Sequence, residues 1–219
     1  MSKTIELTAA DGHRLSAWLG EPRAKPRGGV VVIQEIFGVT AHIRAVTDQY
    51  AAAGFLAVAP ALFDRIERDV DVPYADVARG RGYMQALQNE AVMLDVAAAI
   101  DRVAPAGKVG VVGYCWGGTI AFLAAARLPI AAAVSYYGGG TTRHLAEKPR
   151  CPVMYHYGDL DSHIPMSAVQ QVKAADPGGI FHIYHADHGF NCTDRASFEP
   201  ASAKLALERS LEFFHQHIG

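Results

Sequence analysis

Short apolar runs alternate along the chain with longer segments in which apolar residues recur every three or four positions. The short runs have the length and β-branched content of strands, and the longer segments have the period of helices that bury one face. The runs predict strands at 4–8, 14–20, 29–35, 55–60, 108–113, 130–138, 151–158 and 178–186. The longer segments predict helices at 42–54, 85–104, about 117–128, 165–175 and 200–217, whereas 62–80 looks charged and irregular.

The alternation of strands and helices predicts an α/β fold, in which a mostly parallel sheet carries helices on both faces. The first two strands are expected to pair around a turn at Asp11 and Gly12. No Pro/Gly/Ser-rich linker or block of like charge divides the 219 residues, half of which are hydrophobic. We therefore expect one domain spanning 1–219.

Charge and composition narrow the class of partner. The formal net charge is −2 and the isoelectric point is about 6.5, so the chain lacks the basic character expected of a nucleic-acid-binding protein. The N-terminal residues are polar, and no apolar stretch reaches the roughly 18 residues of a membrane span. Three separated cysteines without a C-x-x-C pair indicate a reducing compartment. We expect a cytoplasmic protein, a monomer or small homo-oligomer, that acts on a small molecule.

Reactive side chains follow the predicted strands, and in parallel sheets functional residues gather at the carboxyl ends of strands. Candidates lie within 35–38, 113–117, 158–161 and 187–190. A thiol, a carboxylate and an imidazole thus follow one another in the chain order of the α/β-hydrolase triad. This order predicts an α/β-hydrolase fold with nucleophilic catalysis.

The segment Gly113-Tyr114-Cys115-Trp116-Gly117 has the form of a G-x-S-x-G nucleophile elbow with cysteine in place of serine. The flanking glycines would relieve collisions in a sharp strand-to-helix turn, and a helix N-terminus would favour a thiolate at Cys115. A free cysteine is also among the residue types most often buried as inert core. The elbow alone does not separate these readings, but the residues at the other strand ends favour a nucleophile.

Two aspartates and several histidines compete for the remaining roles. Asp161 is preferred to Asp159, because it lies in the turn before a helix that Pro165 can start. His188 follows the last strand beside Gly189, while His163 would require an unusual chain order. His182, His185 and His188 form H-x-x-H-x-x-H, but the first two point to opposite faces of a strand, so we expect no metal. No motif indicates a cofactor.

Together, Gln34-Glu35-Ile36-Phe37-Gly38, Gly113-Tyr114-Cys115-Trp116-Gly117-Gly118, the Asp161 segment and His188-Gly189-Phe190 resemble the dienelactone hydrolase family, the carboxymethylenebutenolidases. The resemblance covers nearly the whole chain. It implies an α/β-hydrolase fold, a Cys115–His188–Asp161 triad, and an oxyanion hole formed by the backbone N–H groups of Ile36 and Trp116. It also implies that Glu35 contacts the thiol and activates it when substrate binds.

The same resemblance gives candidates for substrate binding. Family members that cleave dienelactone hold its carboxylate with two arginines, and Arg65 matches one of them. The position of the other, four residues past the histidine, is Cys192, and Arg195 is out of register. Phe37 and Cys192 are further candidates for the pocket. We expect hydrolysis of an ester or lactone of undetermined identity; the alternative is a ligand or redox sensor with little turnover.

Overall fold

A computed structural model describes all residues from Met1 to Gly219. One eight-stranded sheet, in the order β1-β2-β4-β3-β5-β6-β7-β8, runs through the protein. The pairs β1–β2 and β2–β4 are antiparallel, and the five pairs from β4–β3 to β7–β8 are parallel. The expected mostly parallel α/β fold is therefore confirmed.

The strands and helices lie close to the expected positions. The strands are β1 (Ser2–Thr8), β2 (Arg14–Gly20), β3 (Gly29–Ile33), β4 (Leu56–Pro60), β5 (Val109–Tyr114), β6 (Ala132–Tyr136), β7 (Val153–Gly158) and β8 (Ile180–Tyr184). The helices are α1 (Ala41–Ala52), α2 (Val77–Ala86), α3 (Asn89–Val103), α4 (Trp116–Arg127), α5 (Met166–Ala175) and α6 (Pro200–His217). None of these helices is both long and apolar enough to cross a membrane.

Two glycines show that helices cover both faces of the sheet. A Cβ on Gly29 of β3 would lie 2.7 Å from Val103 of α3, so this helix packs directly on the strand. Gly29 pairs with Val109 of β5, and the next residue, Gly110, therefore faces the other side. There, a Cβ on Gly110 would lie 2.6 Å from the ring of Phe214 in α6. An aromatic contact also joins α1 to α6 on that second face.

The segment that precedes α3 differs from the sequence expectation. The helix expected at 85–104 is two helices, because Leu87 and Gln88 have extended backbones, with ψ of 140° and 136°. The extended turn lets Leu87 pack against the main core. The first helix, α2, begins within the segment that looked irregular, and the side chain of Asp76 caps it by accepting a hydrogen bond from the Arg79 N–H at 3.1 Å.

A small hydrophobic cluster lies apart from the main core at the carboxyl end of β3. Its buried members are Ile36, Phe37 and Val72, and side chains of α2 pack against it. Trp116 at the start of α4 contacts both this cluster and the main core. Helix α2 is thus held over the end of the sheet by a separate apolar contact surface, which becomes one wall of the site described next.

Candidate active site

A strained turn between β5 and α4 presents Cys115. This residue has φ 56° and ψ −118°, a conformation that residues with a Cβ rarely adopt. A Cβ on Gly113 would lie 1.8 Å from the carbonyl oxygen of Gly117, and one on Gly117 would lie 2.5 Å from that of Gln34. A Cβ on Gly118 would likewise lie 2.5 Å from the carbonyl oxygen of Tyr136 in β6. The turn therefore requires the three glycines for close backbone packing.

Cys115, His188 and Asp161 form one hydrogen-bonded row, although they follow three different strands. Nε2 of His188 lies 3.1 Å from Sγ of Cys115, and Nδ1 lies 2.7 Å from Oδ2 of Asp161. The other carboxylate oxygen accepts hydrogen bonds from the backbone N–H groups of His163 at 2.8 Å and Ile164 at 3.1 Å. These bonds fix the carboxylate, which in turn orients the imidazole toward the sulfur.

The electrostatics of the row raise the pKa of His188 and lower that of Asp161. Burial disfavours the imidazolium of His188, but the negative charge of Cys115 and the bond to Asp161 outweigh it and raise the pKa of His188 to about 10. Burial likewise disfavours the carboxylate of Asp161, yet its hydrogen bond to His188 and the backbone N–H of His163 lower the pKa of this carboxyl. A thiolate beside an imidazolium is the reactive form of a cysteine nucleophile.

Ile36 and Trp116, whose amides are expected to form an oxyanion hole, line the same cleft as Cys115. The N–H of Ile36 donates to no acceptor in the protein. The N–H of Trp116 is the first of α4, and the first amides of a helix have no partner within it. The positive end of the helix dipole adds to the attraction for a developing negative charge.

Glu35 does not contact the thiol as expected. Its side chain is 1% exposed, and neither carboxylate oxygen makes a hydrogen bond. Its nearest charged partner is Arg195, whose Nη1 lies 3.6 Å from Oε1. Burial raises the pKa of Glu35, and the positive charges of Arg195 and His188 oppose that shift. The expectation of a Glu35–Cys115 contact is wrong for this structure. The imidazole of His188 contacts the sulfur of Cys115 instead, and Arg195 faces the carboxylate of Glu35.

Cys115 opens into a cleft of about 700 Å³. Ile36, Phe37, Trp116 and His188 line it, as expected, and α2 and the segment after β6 supply its walls. Apart from the Cys115 thiol, the ionisable side chains of the lining are all basic, and no Asp or Glu is among them. These basic residues are Arg81, Arg143, His144, His163, His188 and Arg195.

Two expected substrate-binding residues lie elsewhere. Arg65 does not line the cleft; its guanidinium donates to both carboxylate oxygens of buried Asp95, at 2.6 and 2.7 Å, and to Asp11 at 2.8 Å. Without Arg65, Asp95 would be an uncompensated buried charge, which explains the pairing. Cys192 is fully buried outside the lining, and burial together with the charge of Glu35 raises its pKa to about 11.

The histidines of the H-x-x-H-x-x-H pattern, His182, His185 and His188, do not come together as a metal site. His182 stacks on His156, and His185 lies 3.1 Å from Asp159. One ligand atom each from Asp161, His163 and His188 does lie within 4.8 Å of the others, so these three could share a metal ion. However, Asp161 and His188 already form a hydrogen bond with each other, which orients His188.

Sequence reasoning missed Arg81 and Arg143 of the cleft and set Arg195 aside as out of register. Arg143 ends a 3-10 turn, Gly139–Arg143, directly after β6, so the rule about strand ends could have found it had that strand been considered. Arg195 lies seven positions past His188, and the loop between them folds back so that its guanidinium packs on Gly189. Arg81 lies on α2, where no sequence signal marks it.

The fold and the strained cysteine turn define an α/β-hydrolase. A model of the "Dienelactone hydrolase family" matches residues 15–218, almost the entire chain. The chain therefore belongs to the dienelactone hydrolase family, and it is a hydrolase of carboxylic esters or lactones.

Individual relatives agree with this assignment. The carboxymethylenebutenolidase of Pseudomonas putida is 35% identical, with 97% of this chain and 96% of that protein covered. Carboxymethylenebutenolidase 1 of Cupriavidus pinatubonensis is 32% identical over the same shares of the two chains. A crystal structure of a protein assigned as a dienelactone hydrolase from Klebsiella pneumoniae superposes with a TM-score of 0.86 at 29% identity, covering 99% of this chain and 100% of that one.

Proposed function

We propose that the protein hydrolyses an ester or lactone by acyl transfer to Cys115, with His188 as acid and base and Asp161 as the group that orients it. The observation that carries this proposal is the continuous row from Asp161 through His188 to Sγ, with contacts of 2.7 and 3.1 Å. A cysteine attacks as its thiolate, and the raised pKa of His188 supports this imidazole as the group that holds the proton during attack.

In the first step, the thiolate of Cys115 attacks the carbonyl carbon and the carbonyl π electrons move to its oxygen. As this intermediate collapses, the C–O bond to the leaving group breaks and the imidazolium of His188 protonates the departing alkoxide or enolate. Neutral His188 then takes a proton from water, which attacks the thioester. The C–S bond breaks, the carboxylic acid leaves, and the thiolate and imidazolium are restored.

The N–H groups of Ile36 and Trp116 are the proposed donors to the oxyanion. Support comes from the absence of a protein acceptor for the first and from the helix-start position of the second. Such donors are pre-oriented for charge that develops only in the transition state, so they accelerate the reaction rather than merely bind substrate.

Glu35 is proposed to act through its charge rather than as the base that takes the thiol proton. It is buried, lacks a hydrogen bond, and faces Arg195 at 3.6 Å. Burial disfavours its charged form, but the positive charges of Arg195 and His188 favour it; when ionised, the carboxylate stabilises the imidazolium of His188 and holds Arg195 beside Gly189.

The charge of the cleft favours a substrate with an anionic group near the scissile carbonyl. Arg81 and Arg143 are exposed and have no acidic partner, while Arg195 is shared with Glu35. Guanidinium groups that are not neutralised within the protein attract a carboxylate and can hold it with two parallel hydrogen bonds. A small ester or lactone that carries a carboxylate is therefore the proposed substrate class.

Steady-state turnover of activated aryl esters tests the proposal. Wild type should release many equivalents of product, whereas Cys115→Ala and His188→Ala should lose almost all turnover. Cys151→Ala is the matched control, because this second thiol is partly buried outside the cleft. A single equivalent released by wild type would point to a sensor, and turnover retained by Cys115→Ala would refute the nucleophile.

Substrate charge is tested separately with a pair of esters that differ only in a carboxylate on the acyl group. The carboxylated ester should show the higher kcat/KM, and Arg143→Gln should reduce that preference. Equal kcat/KM values for the two esters would contradict the proposed substrate class while leaving the nucleophile untouched.

A further inference from the structure

Helix α2 contacts both residues that supply the proposed oxyanion hole, and it does so by two separate routes. Gly80 packs on the backbone of Ile36, and Tyr83 connects through Phe63 to Trp116. We propose that α2 positions the oxyanion hole and that Gly80 and Tyr83 are its positioning residues. This inference rests on the proposed function, since it concerns the amides that would stabilise the oxyanion.

The first route is a close approach of two backbones. A Cβ on Gly80 would lie 2.4 Å from the carbonyl oxygen of Ile36 and 3.2 Å from its Cγ1. Gly80 is within a regular helix and does not have a positive φ, so its backbone conformation does not require glycine. Glycine is needed there only for proximity. The residue that carries the free N–H is thus held in place by direct contact with α2.

The second route is a stack of three aromatic rings. Tyr83 stacks on Phe63 with centroids 5.2 Å apart and planes at 24°, and Phe63 stacks on Trp116 at 5.6 Å and 18°. Phe63, the middle ring, is 1% exposed. The outer ring is fixed as well, because the Tyr83 hydroxyl donates to Glu67. The stack therefore links α2 to the residue that carries the second amide.

The same helix also forms part of the cleft. Val77, Arg81 and Met84 of α2 line the space where substrate binds. With ten residues and two glycines, α2 is too short and too glycine-rich to be stable by itself, so packing determines its position. Contacts to substrate and contacts to the two amide-bearing residues are therefore coupled through one short helix.

Gly80→Ala and Gly82→Ala form a matched pair that tests this coupling. Gly82 has no atom within 4 Å of an added Cβ, so alanine there only improves helix propensity. At Gly80 the new methyl group must displace the Ile36 carbonyl. Displacement of a catalytic group by about 1 Å can cost about a hundredfold in rate, and loss of an oxyanion donor costs a similar factor. We expect Gly80→Ala to slow ester acylation at least tenfold on that basis and Gly82→Ala to leave it near wild type.

Two rates measured on each variant separate the oxyanion hole from the nucleophile. The pre-steady-state burst with an aryl ester reports acylation, which needs the hole; alkylation of Cys115 by iodoacetamide requires the thiolate but forms no oxyanion. We expect Gly80→Ala to lower the burst rate and kcat more than it raises KM, while alkylation stays within about twofold of wild type. A parallel fall of both rates would overturn the proposal, since α2 would then support the nucleophile.

Tyr83 gives a second, independent variant on a partly exposed position, where loss of the fold is not expected. Tyr83→Leu removes the outer ring and should slow acylation. Tyr83→Phe keeps the ring and should leave the acylation rate near that of wild type. Wild-type acylation in Tyr83→Leu and in folded Gly80→Ala would refute the proposal; if Gly80→Ala does not fold, Tyr83→Leu alone decides. Turnover retained by Cys115→Ala would instead refute the proposed function, so the two failures are distinguishable.

Discussion

Backbone strain at Cys115 has a measurable effect on stability. Its φ of 56° and ψ of −118° match the first central residue of a type II′ turn, a position that glycine dominates because a Cβ is disfavoured there. Cys115→Gly and Cys115→Ala both remove the thiol, but only the glycine variant removes the Cβ. We therefore expect Cys115→Gly to be the more stable of the two, the reverse of the usual order inside regular structure.

The expected difference has two parts. A non-glycine residue in such a region costs about 1–3 kcal/mol, which glycine recovers. Position 115 is also the N-cap of α4, and at N-caps glycine is better than alanine by up to about 1 kcal/mol. Gln88, the N-cap of α3, isolates this second part, because its φ of −92° and ψ of 136° are unstrained and its side chain makes no cap bond.

Urea and thermal unfolding would be measured for Cys115→Gly, Cys115→Ala, Gln88→Gly and Gln88→Ala. The strain energy is the Ala-to-Gly gain in unfolding free energy at position 115 minus the same gain at position 88. The gain from alanine to glycine at Cys115 should exceed the gain at Gln88 by about 1–3 kcal/mol. For a chain of this length, each kcal/mol shifts Tm by about 2–4 °C, so the excess is easily measured. Equal gains at the two positions would refute the reasoning, because the glycines around the turn would then hold Cys115 without strain.

Three further predictions concern charged or titratable groups. Cys115→Ala should lower the pKa of His188 from about 10, because the charge of Cys115 contributes most to raising it. NMR titration of the imidazole measures this pKa, and an unchanged high value would contradict an ion pair between His188 and Cys115. Arg65→Met should lower the free energy of unfolding in urea by about 3–5 kcal/mol, because it leaves buried Asp95 without its partner, and KM should be unchanged. A large rise in KM would instead indicate that Arg65 contacts substrate. Burial lowers the pKa of His156 well below 6.5, so its contribution to stability is present above pH 6.5 and declines as the pH falls further; His156→Gln should show a flatter pH dependence of the unfolding free energy.

Local sequence patterns predict the framework of the fold well, because β-branched runs and helical periods act over a few residues. The placement of Cys115, Asp161 and His188 after three strands was predictable for the same reason, since parallel strands bring their carboxyl ends together. The elbow is also recognisable in the sequence, from the glycines two positions before and two positions after Cys115. These features depend on short-range sequence and on the topology that it specifies.

Contacts set by loops could not be predicted in the same way. Arg65 pairs with Asp95, thirty positions along the chain, and no local pattern marks that partner. Arg195 looked out of register with His188, yet the loop returns it to Gly189 and Glu35. The break at Leu87 and Gln88 interrupts a continuous helical period because packing of Leu87 against the main core overrides propensity.

The three glycines of the elbow leave the backbone at position 115 defined by main-chain contacts alone. Carbonyl groups of neighbouring strands and of α4 press on these glycines, and the N–H of Cys115 donates to the Tyr136 carbonyl at 3.0 Å. None of these contacts involves the sulfur. The same backbone would therefore hold a serine hydroxyl in the position of the thiol. The attacking atom, sulfur or oxygen, can thus change without a change in the turn that positions it.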